Sequence, residues 1–428
     1  MNIFGSSGVR DITDRRFLQL ALDIGLAMGE EYRSVIVGYD TRTSGDAVRS
    51  AFISGLLSAG SKVYDAGVLP TPVLAYAAGQ FDAGAIITAS HNPPEYNGIK
   101  LVNSDGSAFG TEQRAKIEER LFDNSLATAP WQEMQRLKRY PRCLEDYIKR
   151  ICQDFPRKLK VKVVVDCGCG AASVVTPYLL RRLGCEVISL NCYPSGHFPR
   201  RSEPTLENLS TLVEVVKAVG ADIGLAHDGD ADRLAVVDSK GDWVSGDKLL
   251  CLLALKCKAE KVVTTVDTTL ALEGLVLEVA RVRVGDAFVS EELKRGGDFG
   301  GESSGTFIFP KVSYCPDGIY AAAKVVELSC GGGLSAQLER IPSYPVVRGS
   351  FPSEKGLMLS ISDKLVKGNS ASVNFEDGIR LAFEDGWLLV RPSGTEPRIR
   401  VTAEARTEAR ARELYNLGAE AIAGCLTA

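Results

Sequence analysis

Thr88-Ala89-Ser90-His91-Asn92-Pro93-Pro94-Glu95-Tyr96-Asn97-Gly98-Ile99-Lys100 is a polar loop set between two apolar runs. Ala85-Ile86-Ile87 before it and Ile99 to Val102 after it are short and β-branched, the composition of buried strands. Two successive prolines remove backbone donors and fix φ, and Asn97-Gly98 supplies a turn. The connection is therefore stiff and holds Ser90 and His91 in a set geometry, which suits a nucleophilic serine. A strand-to-strand loop with a capping serine has the same local signature. The rest of the chain must supply the partners that a nucleophile needs.

Outward from this loop, strand and helix alternate. Phe17, Leu20, Ala21, Ile24, Ala27 and Met28 recur at helical spacing between Thr13 and Glu31, with Thr13 or Asp14 as cap. Val35-Ile36-Val37 is a strand, a helix carries Phe52, Leu56 and Leu57 on one face, and Val63 opens another strand. This rhythm predicts a parallel α/β sheet with the Ser90 loop at the carboxyl end of a strand, where ligands collect. Asp40 and Arg42 fall in a second such loop, either as support for the site or as a surface ion pair. Residues 124–142, polar and containing Pro130 and Pro141, read as a linker.

A second unit follows, with a helix over Leu144 to Phe155 and a strand over Val161 to Val165 that runs into Asp166-Cys167-Gly168-Cys169-Gly170. Ser173 stands where a dinucleotide fingerprint needs its third glycine, so tight packing accounts for these glycines better than a nucleotide does. In a third unit, a helix over Asp247 to Leu255, a strand over Val262 to Thr265 and a helix near Leu270 to Glu278 are expected. From about Pro345 the pattern changes to short strands, Ala371 to Phe375, Ile379 to Phe383 and Trp387 to Val390, joined by Asp-Gly turns. A helix near Thr407 to Ala423 closes this antiparallel array.

The chain has 428 residues, 45% hydrophobic and 24% charged, which is the make-up of a globular protein too long for one core. Lys and Arg number 50 against 54 Asp and Glu, a net charge of -4 with no basic stripe. Nucleic acid and anionic membrane are thereby excluded as principal partners. No apolar run approaches membrane-spanning length and no signal-peptide pattern opens the sequence, so a cytoplasmic location is expected. The 11 cysteines lack a C-x-x-C pair and read as reduced, mostly buried thiols.

Three further stretches carry chemistry. In His227-Asp228-Gly229-Asp230-Ala231-Asp232-Arg233, carboxylates alternate along an extended loop and can point to one side, where a hard divalent cation relieves their repulsion. Magnesium suits that donor set. Arg233 and Ser239 stand where a calcium EF-hand needs glycine and glutamate, so that reading fails. Gly300-Gly301-Glu302-Ser303-Ser304-Gly305 contains G-x-S-x-G, which raises a serine hydrolase with Ser303 as nucleophile. The loop enters a strand over Thr306 to Phe309 rather than a helix, and His91, His197 and His227 all precede Ser303, against the usual order. Arg391-Pro392-Ser393-Gly394-Thr395-Glu396-Pro397-Arg398-Ile399-Arg400 combines hydroxyls, a glycine-permitted backbone nest and a guanidinium, the parts of a phosphate clamp.

These four motifs, in this order and spread over nearly the whole chain, resemble those of the α-D-phosphohexomutases, which interconvert sugar 1-phosphates and 6-phosphates through a phosphoserine. The resemblance implies an α/β fold of four domains around a central cleft. Three related α/β domains (1–140, 141–240 and 241–342) would precede an α+β domain (343–428). It implies Ser90 as the phosphorylated residue, and Asp228, Asp230 and Asp232 as magnesium ligands with an oxygen of the Ser90 phosphate. Arg10, from Phe4-Gly5-Ser6-Ser7-Gly8-Val9-Arg10, and Arg233 would lie beside that phosphate. Glu302 and Ser304 would hold sugar hydroxyls, and Arg391, Ser393, Gly394, Thr395 and Arg400 the substrate's own phosphate. Thr306 replaces a histidine that many members carry, which leaves His91 and Lys100 as candidates for proton transfer. A sugar 1,6-bisphosphate is the expected activator, and a monomer or homodimer the expected state. Glucosamine 6-phosphate is the substrate favoured, ahead of mannose or glucose phosphates and a pentose phosphate; a non-catalytic phosphosugar-binding protein is the reading from another class.

Overall fold

The computed structural model describes residues 3–5, 8–123, 125–330, 333–352, 357–366, 371–393 and 398–426. The first sheet contains β1 (Val9–Ile12), β2 (Ser34–Tyr39), β3 (Lys62–Val68), β4 (Ala83–Ile87), β5 (Tyr96–Asn103) and β6 (Lys138–Arg139), in the order β1-β5-β4-β2-β3-β6. Helix Arg15–Glu31 has the expected apolar face, and the Asp14 carboxylate caps it by accepting from Phe17 N. The sheet is mixed rather than parallel, because β5 runs antiparallel to β4 and β1 antiparallel to β5. The Ser90 loop is too short for the crossover that a parallel return requires, so the strand after it must come straight back. The linker contributes β6, which pairs with Tyr64 and Asp65 of β3.

The second sheet contains β7 (Lys162–Asp166), β8 (Glu186–Leu190), β9 (Ile223–His227), β10 (Leu234–Asp238) and β11 (Trp243–Val244), ordered β11-β10-β9-β7-β8. Its β10–β11 hairpin carries the sheet past residue 240, where the sequence suggests a boundary. The third contains β12 (Lys261–Thr265), β13 (Glu278–Val282), β14 (Phe299–Gly301) and β15 (Phe307–Ile308), ordered β13-β12-β14-β15. The helix expected near Leu270 to Glu278 is instead a 3-10 turn over Leu270–Gly274, after which Glu278 opens β13. Gly274 ends the turn, and Val279 to Val282 are drawn into parallel pairing with β12.

One topology recurs in all three sheets. The strands β3-β2-β4-β5, β8-β7-β9-β10 and β13-β12-β14-β15 follow the same order, with three parallel strands and a fourth antiparallel to the third. The connection from third to fourth strand holds Ser90 in the first sheet, Asp228 to Arg233 in the second and Glu302 to Thr306 in the third. The three chemical loops are thus equivalent positions of one repeated unit. These units also share a core in which Ile36 and Ile86, Val163 and Val165, and Val262 and Phe299 belong to a single buried cluster.

The last sheet is wholly antiparallel: β16 (Val346–Pro352), β17 (Ser372–Asn374), β18 (Ile379–Phe383), β19 (Gly386–Pro392) and β20 (Arg398–Ala405), ordered β16-β20-β19-β18-β17. Helices Leu357–Val366 and Glu408–Leu426 cover it and close a core of its own. It docks on the third unit through Trp387 and Leu389 against Val266, and through Arg380 Nε donating to Val266 O at 2.9 Å. No described helix is long and apolar enough to cross a membrane.

Candidate active site

Ser90 sits at the turn beyond β4 with φ +51°, the left-handed region that costs a non-glycine residue roughly 1–2 kcal/mol. Its Oγ donates to Asp228 Oδ2 at 2.6 Å, and His91 Nδ1 lies 3.3 Å from the same oxygen. Two glycines make the approach possible. A Cβ on Gly229 would stand 2.5 Å from Ser90 O, and one on Gly98 would stand 2.5 Å from Thr88 O. Ala171 N donates to Gly229 O at 2.8 Å, so the Cys-Gly-Cys-Gly stretch supports the carboxylate loop rather than a nucleotide.

Asp228, Asp230 and Asp232 are buried and each offers an oxygen within 4.8 Å of the others. Lys100 Nζ, on β5, donates to Asp230 Oδ2 at 2.7 Å and Asp232 Oδ2 at 2.6 Å, and Thr71 Oγ1 donates to Asp230 Oδ2 at 2.5 Å. Asp230 Oδ1 and Asp232 Oδ1 are buried without a hydrogen-bond partner. Such orphaned oxygens are expensive unless a cation meets them, so the donor set fits a hard divalent metal. Burial first, and then the charges of Asp232 and Asp230, push the Asp228 carboxyl well above its ordinary value. Burial would lower the Lys100 ammonium, but Asp230 and Asp232 outweigh it and hold the proton on. The His91 imidazole is pushed down to about 3, by burial and then by Arg233 and Arg10, so it is neutral near pH 7.

His91, the residue after the serine, lines a cleft of about 460 Å³ together with Arg10, Arg233, Asp286, Glu302 and Ser304. That volume lies in the range of small-molecule sites, about 300–1,000 Å³. Arg10 Nη1 donates to Asn92 Oδ1 at 3.0 Å, and Arg233 Nη1 pairs with Glu203 at 3.0 Å. Glu302 Oε1 accepts from Gly285 N at 2.8 Å, and its Oε2 from Thr306 Oγ1 at 3.0 Å and Ser304 Oγ at 3.2 Å. Thr306 is thus a buried orienting group for Glu302. Ser303 leads into β15 rather than a helix, and among the described residues no histidine nitrogen bonds to it.

Arg391 stands apart from the serine. Its Nη1 pairs with Asp377 Oδ2 at 3.0 Å, and that oxygen also accepts from Val284 N at 3.3 Å, next to Gly285 in the cleft wall. Ser393 Oγ is buried without a partner, and Arg400 lies opposite Arg391 on β20. Gly394 and Thr395, like Ser6 and Ser7, lie outside the described residues. Sequence reasoning missed Thr71, Glu203 and Asp286, whose sequence surroundings carry no chemical signature. It left Asp40 and Arg42 undecided between support and surface pair, and both are buried against the Ser90 loop.

Glu302 gives a pH dependence. Burial, then Asp286, raise its carboxyl from 4.5 to about 7 against the pull of Arg233, with Asp267 adding to the rise. The native state therefore holds this proton more tightly than the unfolded chain, so its contribution favours folding below the unfolded value and is lost as pH rises through about 7. Ligand binding runs the other way, since the carboxylate accepts from sugar hydroxyls more strongly than the protonated acid does. KM for a sugar phosphate, measured across this range, should fall as pH rises, and Glu302→Gln should remove that limb. An unchanged profile in the variant would exclude Glu302 as its source.

Residues 1–128, 145–241 and 245–344 match the families described as phosphoglucomutase/phosphomannomutase α/β/α domains I, II and III, and residues 353–417 match the C-terminal domain of the same proteins. A Methanocella arvoryzae protein named probable phosphoglucosamine mutase is 46% identical over 436 residues, covering 100% of this chain and 99% of the relative. A Burkholderia thailandensis phosphoglucomutase/phosphomannomutase family structure superposes with TM-score 0.90 at 29% identity, covering 99% of this chain and 97% of that one. An Aspergillus fumigatus N-acetylphosphoglucosamine mutase, solved with GlcNAc-6P and magnesium, shares the fold at 16% identity and TM-score 0.58, covering 99% and 95% of the two chains.

Proposed function

The chain belongs to the phosphoglucomutase/phosphomannomutase family of α-D-phosphohexomutases, an isomerase family, and from that premise we propose that it converts glucosamine 6-phosphate to glucosamine 1-phosphate through a phosphorylated Ser90. The observation that carries the phosphoserine reading is the 2.6 Å contact of Ser90 Oγ with a carboxylate triad that has orphaned oxygens, where the neighbouring residues His91 and Arg233 line a cleft of sugar-phosphate size. The amino sugar is favoured by full-length relatives at 42% to 46% identity that bear the phosphoglucosamine mutase name. We take the domains to meet near residues 140, 240 and 342.

Ser90 passes its phosphoryl group to the free hydroxyl of a sugar phosphate. The bond from phosphorus to Oγ breaks, a bond to the sugar oxygen forms, and the hydroxyl proton goes to His91, whose Nδ1 lies 3.3 Å from Oγ and passes it to that departing oxygen. Burial, then the two arginines, weaken that base, and a phosphoryl group beside the arginines would offset their share; we take His91 rather than the already charged Lys100 as the acceptor. Asp228, Asp230 and Asp232 would hold magnesium, which when bound supplies charge neutralisation at the transferring group. Glu302 and Ser304 orient the sugar, and Arg391, Ser393, Gly394, Thr395 and Arg400 grip its other phosphate. The bisphosphate then turns over and returns its second phosphoryl group to Ser90. A sugar 1,6-bisphosphate primes the cycle, and the separately cored last domain opens to let the intermediate turn.

Coupled turnover with glucosamine, glucose and mannose 1-phosphates, with magnesium and catalytic bisphosphate, tests the assignment. The amino sugar should show the highest kcat/KM. A preference of tenfold or so for a neutral hexose would change the substrate but keep the mechanism. Turnover of pentose phosphate alone would rule out a hexose mutase.

A further inference from the structure

Arg42 has no place in the chemistry above and touches no part of the cleft, yet its side chain is buried and bonded in every direction toward one loop. Nη2 donates to Ser90 O at 2.8 Å and Asn92 O at 2.7 Å. Nη1 donates to Pro93 O at 2.6 Å and Tyr96 O at 2.8 Å. Nε pairs with Asp40 at 3.2 Å, with both side chains fully buried. The loop turns these carbonyls inward where no strand can meet them, and buried carbonyls need donors. A planar guanidinium with five donors fits four carbonyls and a carboxylate; an ammonium, with three, does not.

The same carboxylate reaches Ser90 from its other side. Asp40 Oδ2 accepts from Thr88 Oγ1 at 2.6 Å, and Thr88 Oγ1 accepts from Ser90 N at 2.9 Å. Both polar backbone atoms of Ser90 are therefore fixed, the carbonyl by Arg42 and the N–H through Thr88. The second unit packs onto this brace: Phe198 lies 5.3 Å from the guanidinium carbon, and Thr41 Oγ1 donates to Cys169 O at 2.9 Å.

We propose that Arg42 is the positioning residue of the phosphoryl-carrying serine. With Asp40 and Thr88, it holds Ser90 in the left-handed conformation that aims Oγ at Asp228. The inference rests on the phosphoserine reading of Ser90. It concerns the rate at which Ser90 gains and loses its phosphoryl group rather than the hold on substrate.

The test compares Arg42→Lys, Arg42→Ala and Thr88→Val with the unaltered enzyme. Its readouts are kcat, KM and the rate at which glucose 1,6-bisphosphate phosphorylates Ser90, followed by rapid quench and intact mass. Arg42→Lys should lower kcat and the phosphorylation rate together by about 100-fold, the size of effect that ångström-scale misplacement produces, with KM changed by less than about twofold. Thr88→Val, which leaves Arg42 in place, should lower both by about tenfold. Dilute guanidinium chloride, well below denaturing concentration, should restore part of the kcat of Arg42→Ala, and methylammonium should not. If Arg42→Ala loses its circular dichroism spectrum, the other two variants decide. Wild-type kcat in Arg42→Lys, or a loss confined to KM, overturns the proposal. Failure of the unaltered enzyme to phosphorylate Ser90 overturns the reading beneath it instead.

Discussion

Ser90→Ala should reduce mutase turnover by on the order of 10⁴-fold or more, the scale on which loss of a covalent nucleophile is felt. The substitution removes one oxygen, the atom proposed to carry the phosphoryl group between substrates. His91 is next in the loop, with Nδ1 3.3 Å from Oγ, but in the proposed reaction it takes the proton rather than the phosphoryl group. Folding should survive, since Ser90 O and N keep Arg42 and Thr88 as partners. Substrate KM should stay near its wild-type value, as the cleft walls are other residues. Intact mass after incubation with glucose 1,6-bisphosphate should show one phosphoryl group on the unaltered chain and none on the variant. Phosphorylation of the variant would move the nucleophile elsewhere.

Removal of divalent metal should abolish turnover, and Asp230→Asn should lower it by several kcal/mol of transition-state stabilisation, about 10³-fold. The reason is visible without any ion: three buried carboxylates within 4.8 Å, opposed among the described cations chiefly by Lys100, with two oxygens unpartnered. A group that binds only the folded chain stabilises it by mass action, about 2.7 kcal/mol at 100 times its dissociation constant. Millimolar magnesium should accordingly raise the apparent melting temperature by a few degrees, measured without substrate. Asp230→Asn should remove most of that shift. If magnesium leaves the melting curve and turnover of the unaltered protein unchanged, the triad is not a metal site.

Much of the local structure was legible in the sequence because it rests on short-range rules. Helix Arg15–Glu31 follows from the spacing of Phe17, Ala21, Ile24 and Met28 and from its Asp14 cap. The Ser90 and Asp228 loops follow, and the Glu302 loop enters, β-branched or apolar runs that had to be strands. The error over Leu270 to Glu278 arose where local apolar content favours a helix, but Gly274 ends a single 3-10 turn and β12 captures the chain from Glu278 onward. The brace escaped decision because Asp40 and Arg42 read equally as a surface pair or as support for the site until the Ser90 loop is folded over them.

The sequence by itself determined which chemistry the protein can perform, because a serine loop, a carboxylate triad, a Glu-Ser turn and a phosphate-clamp string each carry their functional groups within a few residues. It determined the alternation of helix and strand as well, through period and turn residues, while the four-domain arrangement came from the family resemblance. Only the tertiary structure decided that the first three of these occupy the same strand-to-strand connection in three copies of one sheet topology. It also decided that Ser90 meets Asp228 across 138 residues of chain, Lys100 meets Asp230 across 130, and Thr71 meets Asp230 across 159. Strand order and pairing arise from packing between distant segments, which leaves no periodic trace in either partner. The electrostatics of the site exist only once burial removes water from charges that, along the open chain, never meet.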